Sequence, residues 1–368
     1  MQFKNYQKII LIFLSLFTSV SFLSYLTFVK SSSAQVPETP LVFTVAGDNT
    51  FSSQASGVLS LIQSLNPSFH VALGDFSYSS TRPETEWCQF VRDRVGQTLP
   101  FQLISGDHEN DLIGDDGYID NFVACLPDML NSVVSPFGKY GREYYFDQQN
   151  IRFITANADV GDGADLYTYS VGSNHYNWLR DTIREAKSQG KWVIVGNHKT
   201  CITMGIKLCS VGTDFANLLI NEGVDLVVEG NDHNYQRSKQ LTCVSSDSYN
   251  PTCTSAFESR GGTYIKGSGT VFMVVGTGGS VPLYNLNTAD SEAPYFVSYM
   301  GENFNPTYGV AKINVTSTQM SVQFVPSLGT FTDSFEINSS LVSPTPTPVL
   351  TELEGTLLAD ATVKQSYP

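Results

Sequence analysis

The chain has 368 residues with 21 basic and 35 acidic side chains, so its formal net charge at pH 7 is −14. Apolar residues make up 41% of the sequence, which is enough to bury a core and excludes disorder over most of the length. An acidic chain lacks the basic faces that bind phosphate backbones, so no nucleic-acid-binding surface is expected. The length allows one large domain or two ordinary ones.

Residues 1–34 have the layout of a secretory signal peptide. Lys4 and Lys8 precede an apolar run over 9–29, and the segment ends in small residues that include Ala34. The run is also long enough for an uncleaved membrane anchor, although six of its 21 residues are Ser or Thr. We expect cleavage after Ala34 and a secreted, periplasmic or extracellular protein. The mature chain then has no membrane span unless the signal stays uncleaved.

The first predicted strands and helices begin at residue 41, where short apolar runs alternate with amphipathic stretches. In chain order the pattern predicts a strand over 41–46, a helix near 54–65, strands over 69–73 and 100–104 with a helix near 85–95 between them, a strand over 151–155, helices near 174–189 and 213–222 with Asn174 and Thr213 as N-caps, and strands over 192–196, 224–229 and 271–276. Continuous apolar strands that alternate with helices indicate a sheet covered on its faces.

After residue 305 only strands are predicted, over 308–315, 319–326 and 330–337, and their short connections indicate an antiparallel meander. The chain therefore divides into the signal peptide, a short lead over 35–40, one domain over 41–340, and a Pro/Thr linker with a disordered tail over 341–368.

The six cysteines are an even number, as expected in an oxidising compartment. A zinc site would require paired Cys-x-x-Cys spacings, and the sequence contains none. Two pairs would each close a short loop, and the remaining two cysteines would then pair with each other: Cys201 with Cys209, Cys243 with Cys253, and Cys88 with Cys125.

Five polar clusters directly follow predicted strands: GDNT (47–50), GDFSY (74–78), GDHE (106–109), GNH (196–198) and GNDHNYQR (230–237). Because sites in open α/β sheets lie at the carboxyl ends of strands, these clusters could converge on one crevice. Their Asp, Asn, His and Tyr side chains are metal ligands by type. The alternative is five unrelated turns, but three of the five histidines in the chain, His108, His198 and His233, fall in these loops.

The five clusters, in this order, resemble the motifs of the calcineurin-like metallophosphoesterases. Among these the chain looks most like the purple acid phosphatases, whose second motif is Gly-Asp-x-x-Tyr. The likeness covers residues 41 to about 326. It implies an α/β fold in which two mixed β-sheets pack as a sandwich flanked by helices, in four αββα layers.

The resemblance also implies a centre of two divalent or trivalent metal ions that hydrolyses a small phosphate ester through attack by a metal-bound hydroxide. Asp48, Tyr78 and His233 would bind the first ion, which is expected to be Fe(III) because a phenol needs a strongly charged ion to bind as phenolate. Asp75 would bridge the two ions, and His108 would be the catalytic residue that protonates or orients the scissile phosphate.

The second ion would take His198 together with Asp107 and Asn231, and at these last two positions the sequence departs from the family. Asp107 replaces the usual Asn and Asn231 replaces a His, which makes the site harder and more negative, better suited to Mn, Mg or Fe than to Zn. The other interpretation is a degenerate second site. The alternative function is then a non-catalytic extracellular module that binds metal or a phosphate ester.

Four further positions have weaker interpretations. Lys207 lies at the spacing where some purple acid phosphatases carry a substrate-binding histidine, which leaves the specificity open. We expect His70 to pack within its strand, and His175 to be a surface or capping residue. The sequons at Asn314 and Asn338 matter only if the host glycosylates the protein.

Overall fold

Two mixed β-sheets with five helices make up the described part of the protein. The computed structural model describes residues 38–109, 117–162, 165–245, 248–255 and 262–339. The predicted signal peptide, the first half of the predicted lead (35–37) and the predicted linker and tail lie outside these residues. The described residues from Pro40 onward belong to one compact unit, and the domain boundaries themselves stay predictions.

The strands run in chain order as follows: β1 Leu41–Ala46, β2 Phe69–Ala72, β3 Phe101–Leu103, β4 Val133–Val134, β5 Tyr144–Gln148, β6 Ile151–Thr155, β7 Gly161–Asp162, β8 Asp165–Leu166, β9 Trp192–Asn197, β10 Leu226–Glu229, β11 Tyr235–Leu241, β12 Thr263–Ile265, β13 Thr270–Val275, β14 Phe296–Met300, β15 Tyr308–Val315, β16 Gln319–Leu328 and β17 Asp333–Asn338. The helices are α1 Ser53–Leu65, α2 Glu84–Val95, α3 Ile119–Cys125, α4 Asn174–Ser188 and α5 Thr213–Asn221. Short 3₁₀ turns cover Asp107–Glu109, Pro251–Cys253 and Ala293–Tyr295.

The first sheet has seven strands in the order β12-β17-β16-β15-β1-β2-β3. Strands β1, β2 and β3 run parallel, whereas β15 pairs antiparallel with β1 through a register that begins at Leu41 and Val315. The last three strands form the predicted antiparallel meander. The amino-terminal βα part and the carboxyl-terminal meander therefore share one sheet.

The second sheet has eight strands in the order β14-β11-β13-β10-β9-β6-β5-β4. Strands β6, β9, β10 and β13 are parallel neighbours, and antiparallel strands complete both edges. A separate two-stranded ribbon joins β7 and β8. Helix α4 connects the parallel strands β6 and β9, and α5 connects β9 and β10. A short turn joins the antiparallel strands β5 and β6.

Aromatic side chains fill the space between the two sheets. Phe43 of β1 stacks on Phe69 of β2 and meets Phe153 of the second sheet edge-on, while Phe69 meets Phe146 in the same way. Helices α1 to α3 cover the first sheet, and α4 and α5 pack on the other side of the second sheet. The predicted four-layer αββα sandwich is confirmed.

The N-caps of two helices differ from the prediction. Ser173, not Asn174, caps α4, because its hydroxyl accepts a hydrogen bond of 3.1 Å from the backbone N–H of Tyr176. At α5 the cap position falls on Gly212 rather than Thr213, and this cap makes no side-chain hydrogen bond. Among the described residues no helix has both the length and the hydropathy needed to cross a bilayer.

His175 is also not the surface or capping residue that the sequence suggested. Its Nδ1 lies 3.0 Å from an Oε atom of the fully buried Glu143, and its ring packs on Tyr167. The reason is that Glu143 needs partners in the core, and the imidazole supplies one. His70, by contrast, is buried in β2 beside Thr44, as predicted.

The three predicted disulfides are confirmed. Bonds join Cys88 of α2 to Cys125 at the end of α3, Cys201 to Cys209, and Cys243 to Cys253. The first bond crosslinks two helices of one layer, whereas the other two close short loops.

Candidate metal centre

The carboxyl ends of five parallel strands meet in one crevice between the two sheets. Asp48 follows β1, Asp75 follows β2 and Asp107 follows β3 on the first sheet, while His198 follows β9 on the second. The loop after β10 adds a further pair, Asn231 and His233. The expected convergence of the five polar clusters is therefore present in the fold.

Four residues at this crevice have left-handed backbone conformations that non-glycine residues rarely adopt. The φ angles are 60° at Asp48, 54° at Asp75, 51° at Tyr78 and 67° at Asn231. Such conformations cost free energy and concentrate at functional sites. The surrounding loops hold each turn in place; for example, the N–H of Asp48 donates to the carbonyl of Gly74 at 3.0 Å.

One group of side chains gathers around the Tyr78 hydroxyl. The hydroxyl donates to Asp75 Oδ2 at 2.8 Å and to Asp48 Oδ1 at 3.2 Å, and it lies 2.9 Å from His233 Nε2. His233 Nε2 lies 3.4 Å from Asp48 Oδ1. Asp48, Asp75 and His233 thus offer ligand atoms close enough to share one metal ion, with the phenol beside them.

A second group forms around His198 and uses the other oxygen of the same aspartate. His198 Nε2 lies 3.2 Å from Asp75 Oδ1 and 3.1 Å from Asp107 Oδ1. The other ring nitrogen, Nδ1, lies 2.7 Å from the carbonyl oxygen of Leu73, which orients the ring. Asp75 therefore turns one carboxylate oxygen to each group.

Asn231 contacts the first of these groups through its backbone. Its backbone N–H donates to Asp48 Oδ2 at 2.9 Å. Its side-chain oxygen is buried and has no hydrogen-bond partner among the described residues. A buried carbonyl oxygen without a partner is rare, and a metal ion or a water molecule would satisfy it.

His108 lies at the open side of the crevice. Its Nε2 is 3.8 Å from Asp75 Oδ2 and its ring centroid is 4.4 Å from that of Tyr78, while its side chain remains half-exposed. Its backbone N–H donates to Asp75 Oδ1 at 3.2 Å, which fixes the turn. This histidine can reach both the crevice and a molecule that arrives from solvent.

Electrostatics in the crevice favour bound cations. Burial, together with the charges of Asp75 and Asp48, raises the pKa of Tyr78 well above its ordinary value. Burial disfavours the charged form of Asp107. The hydrogen bond to His198 and the positive charge of Lys207 outweigh burial and hold the pKa of Asp107 far below its usual range. Burial disfavours the charged form of His198, yet its neighbouring carboxylates raise its pKa well above normal. Buried carboxylates, imidazoles and a phenol at this spacing fit two hard or borderline metal ions.

Sequence reasoning assigned no role to Glu109, which is fully buried under the crevice. Its carboxylate accepts backbone N–H groups from Asp75, Phe76 and Gly106 at 2.7–2.9 Å. Burial and the charge of Asp75 raise its pKa to about 8, against the hydrogen bonds from Phe76 and Gly106. The GDHE motif contains this residue, but nothing in the motif itself distinguishes a ligand from a support.

Two further neighbours of His233 were also missed. Tyr284 stacks on its ring with a centroid separation of 3.9 Å, and Asp232 lies buried next to it in the sequence. Asp232 was visible in the fifth motif, where it could have been read as a buried anchor. Tyr284 follows no motif, and only the fold brings it to the site.

Comparisons with known proteins agree with this geometry. No protein-family model matches the chain. An uncharacterized protein of Mycobacterium tuberculosis is 29% identical over 254 residues, covering 63% of this chain and 46% of that protein. The Fe(3+)-Zn(2+) purple acid phosphatase 12 of Arabidopsis thaliana is 21% identical over 263 residues, covering 66% of this chain and 51% of that protein. The chain thus spans about half the length of the curated relatives it matches.

A solved structure of the purple acid phosphatase PPD1 from yellow lupin (Lupinus luteus) superposes with a TM-score of 0.60 at 17% identity, over 82% of this chain and 54% of that one. The fold is therefore the one that this purple acid phosphatase structure has. In sequence, the chain is similar to purple acid phosphatases of Arabidopsis thaliana.

Proposed function

We propose that the protein is an exported, metal-dependent phosphoesterase of the acid phosphatase type. The observation that carries this proposal is the position of Asp75, whose two carboxylate oxygens face separate groups of candidate ligands. Metal binding at these residues would supply a Lewis acid that activates a water molecule for attack on phosphorus and offsets the charge of the leaving oxygen.

Each residue of the crevice has a role in this proposal. Asp48, Tyr78 and His233 would hold the first ion, and Asp75 would offer one carboxylate oxygen to each ion. Asp107, His198 and Asn231 supply the remaining ligands of the second ion. The side-chain oxygen of Asn231 supports its inclusion, because it is buried and has no hydrogen-bond partner in the described part of the chain.

Iron(III) is the ion we propose beside Tyr78. Burial among carboxylates makes the phenolate costly, so only a highly charged ion nearby stabilises it at neutral or acidic pH. The name of the Arabidopsis relative gives that protein Fe(3+) and Zn(2+). Here an extra carboxylate at Asp107 and an amide at Asn231 favour Mn, Mg or Fe over Zn as the second ion.

His108 acts on the substrate rather than on the ions. Its half-exposed imidazole lies beside the Tyr78 ring, within reach of an ester that binds across the crevice. There it donates a proton to the leaving oxygen as the ester bond breaks. Its partial exposure gives solvent access to the ring, so that proton can be replaced from solvent.

Export is supported by the three disulfides, which persist in oxidising compartments. The predicted signal peptide agrees with it but lies outside the described residues.

The test is metal analysis of the purified protein together with hydrolysis of a chromogenic phosphomonoester. We expect close to two metal ions per chain and metal-dependent hydrolysis. Fewer than about 0.2 ions per chain after metal supplementation, with no hydrolysis, would contradict the proposal. Two bound ions without turnover would favour the alternative function, a non-catalytic binding module. The residues at Asp107 and Asn231 are the reason for considering that alternative.

A further inference from the structure

The loop between β9 and α5 exposes two large apolar side chains within three residues. Ile206 is 58% exposed and Leu208 is 80% exposed, and Lys207 lies between them. Single exposed apolar residues are common, but adjacent ones at the edge of a crevice mark a binding surface more often. We call residues 205–208 the rim loop.

The rim loop is held in place rather than loosely extended. The Cys201–Cys209 disulfide closes it at its base. Asp232 then anchors it from below, because its carboxylate accepts the hydroxyl of Thr203 and the backbone N–H of Ile206, the latter at 3.1 Å. The disulfide and Asp232 therefore hold the backbone that presents Ile206 and Leu208 to solvent.

The same anchor places the rim loop beside the candidate metal centre. Asp232 lies between Asn231 and His233 in the chain, and Tyr284 stacks on His233. Lys207 Nζ lies 6.0 Å from the centroid of the Tyr284 ring.

A phosphate ester has two chemically different ends, and the rim offers a match for each. The phosphoryl group is anionic and is attracted by Lys207 and by bound cations. The alcohol group extends away from the reacting centre toward the edge of the crevice, where Ile206 and Leu208 stand. An apolar alcohol would cover these side chains and remove them from water.

Resting on the proposed function, we propose that Ile206 and Leu208 bind the alcohol group of the substrate and that the site prefers phosphate esters of apolar alcohols. The chemical class is a monoester whose alcohol carries a hydrocarbon chain or ring. Esters of small polar alcohols would reach the same ions without this contact.

Binding of alkylphosphonates tests the preference without requiring turnover. The dissociation constants of n-hexylphosphonate and ethylphosphonate are measured by calorimetry on the metal-supplemented protein. Four additional methylenes, each partly buried, should make hexylphosphonate bind about 10-fold more tightly. In the double variant I206S/L208S we expect the ratio of the two constants to fall to about 1.

A matched control is Val133→Ser, because Val133 is 50% exposed in β4, the edge strand at the end of the second sheet opposite β14. This variant should keep the wild-type ratio. Equal constants for the two phosphonates in the wild-type protein, or an unchanged ratio in I206S/L208S, would overturn the proposal.

Other occupants of the rim loop give different results. Anionic phospholipid vesicles that bind the wild-type protein but not I206S/L208S, with equal phosphonate constants, would assign the loop to a membrane surface and overturn the proposal. A dimer that dissociates in the same variant, again with equal constants, would assign it to a second copy. Hydrolysis of hexyl phosphate and ethyl phosphate is measured separately. Absence of hydrolysis counts against the phosphoesterase function, whereas the ratio of the two phosphonate dissociation constants decides whether the site prefers an apolar alcohol group.

Discussion

Tyr78 is the residue whose chemistry depends most directly on the ion it binds. Its hydroxyl lies within 3.2 Å of two carboxylates and a histidine. If Fe(III) binds there, the phenolate gives the protein a visible charge-transfer absorption band, and Tyr78→Phe abolishes the band. Absorption spectra of the iron-loaded wild type and variant measure the effect.

Tyr284 provides the control for this experiment. Its ring stacks on the same histidine, His233, and the proposed centre gives it no ligand role. Tyr284→Phe should therefore keep the band. A colourless, iron-free and active protein would contradict the iron assignment and leave the phosphoesterase proposal standing.

His108 should affect turnover far more than metal content. It approaches the crevice from the open side and does not belong to either group of candidate ligands. Because general acid catalysis contributes about 10²–10⁴-fold, His108→Ala should lower kcat by a factor in that range while the metal content stays unchanged. Turnover kinetics and elemental analysis of the same preparation measure both quantities.

His175 serves as the matched histidine control. It contacts Glu143 in the core rather than a proposed ligand, so His175→Ala should retain a kcat near that of the wild type. A wild-type kcat in His108→Ala would remove His108 from the proposed mechanism.

Asp107 and Asn231 form the pair in which the chain departs from related phosphatases. Asp107 contacts His198, and Asn231 carries the unpartnered oxygen. We expect the two departures to compensate, because the Asp107 carboxylate supplies an electron-pair donor and a negative charge where an imidazole ligand is missing. Asp107→Asn alone should lower the affinity for the second ion. Asn231→His alone should change the preference among metals more than the rate of turnover.

The double variant completes a thermodynamic cycle. Residues that share one site commonly couple by about 0.5–3 kcal/mol, and we expect a coupling in that range for second-metal affinity. Affinity and turnover are measured for all four proteins. Strictly additive effects would show that the two positions changed independently, and a double variant far more active than the wild type would favour a degenerate site.

The sequence made these residues visible because each polar cluster follows an apolar strand. It could not identify the residues that support them. Glu109 lies next to a candidate catalytic histidine, yet its contacts are with backbone N–H groups, which no side-chain pattern records. Tyr284 lies in no motif and reaches His233 only through the fold.

At the scale of secondary-structure elements, Glu109 connects two strand-end loops. It accepts hydrogen bonds from the loop after β2, at Asp75 and Phe76, and from the loop after β3, at Gly106. Glu109→Gln replaces one of its acceptor oxygens by a donor, so at least one backbone N–H loses its partner. Because supporting partners of metal ligands commonly contribute 10–100-fold to affinity, we expect a loss of about that size.

Titration of the metal-depleted variant with Mn²⁺ measures this loss. Glu86→Gln is the control, because Glu86 is an exposed residue of α2 whose partner is Arg82 at 4.0 Å. Its metal affinity should match that of the wild type. Unchanged affinity in Glu109→Gln would show that the loops keep their geometry without the buried carboxylate.

Strands with continuous or alternating apolar residues were predictable, and a strand of buried polar residues was not. Strands β1, β9 and β13 are nearly continuous apolar runs buried on both faces. Strand β11 was missed because it is YQRSKQL, whose polar residues are buried only through long-range partners. Arg237, for example, forms an ion pair with Asp333, 96 residues later.

At the scale of the whole molecule, buried titratable groups link stability to pH. His70 is buried in β2, and burial lowers its pKa to about 3. The unfolded chain, in which the pKa is near 6.5, therefore binds a proton that the folded chain does not. The stability contributed by neutral His70 is complete above about pH 6.5 and declines as the pH falls toward 3.

We expect acidification from pH 7 to pH 4 to reduce the free energy of unfolding by about 3 kcal/mol through this residue alone. In His70→Gln, which cannot titrate, the pH-dependent loss should be smaller by that amount. Urea unfolding at both pH values measures the difference. Equal pH-dependent losses in the two proteins would show that His70 does not carry this linkage.

The sheet order was the part of the architecture that local sequence could not give. Strand β1 lies between β2 and β15, so Leu41 pairs with Val315 at the opposite end of the domain. Apolar periodicity specifies which residues are buried but not which distant strand lies beside them. The four-layer arrangement was predictable only from the resemblance carried by the five motifs.

The left-handed turns at Asp48, Asp75, Tyr78 and Asn231 place thermal stability and function in opposition. Glycine and asparagine tolerate this conformation better than aspartate or tyrosine, so a selection for heat resistance alone would enrich them at the first three positions. The same replacements would delete proposed ligands. Stabilised descendants of this protein should therefore lose metal affinity first, and directed evolution toward heat resistance would need to hold these positions constant.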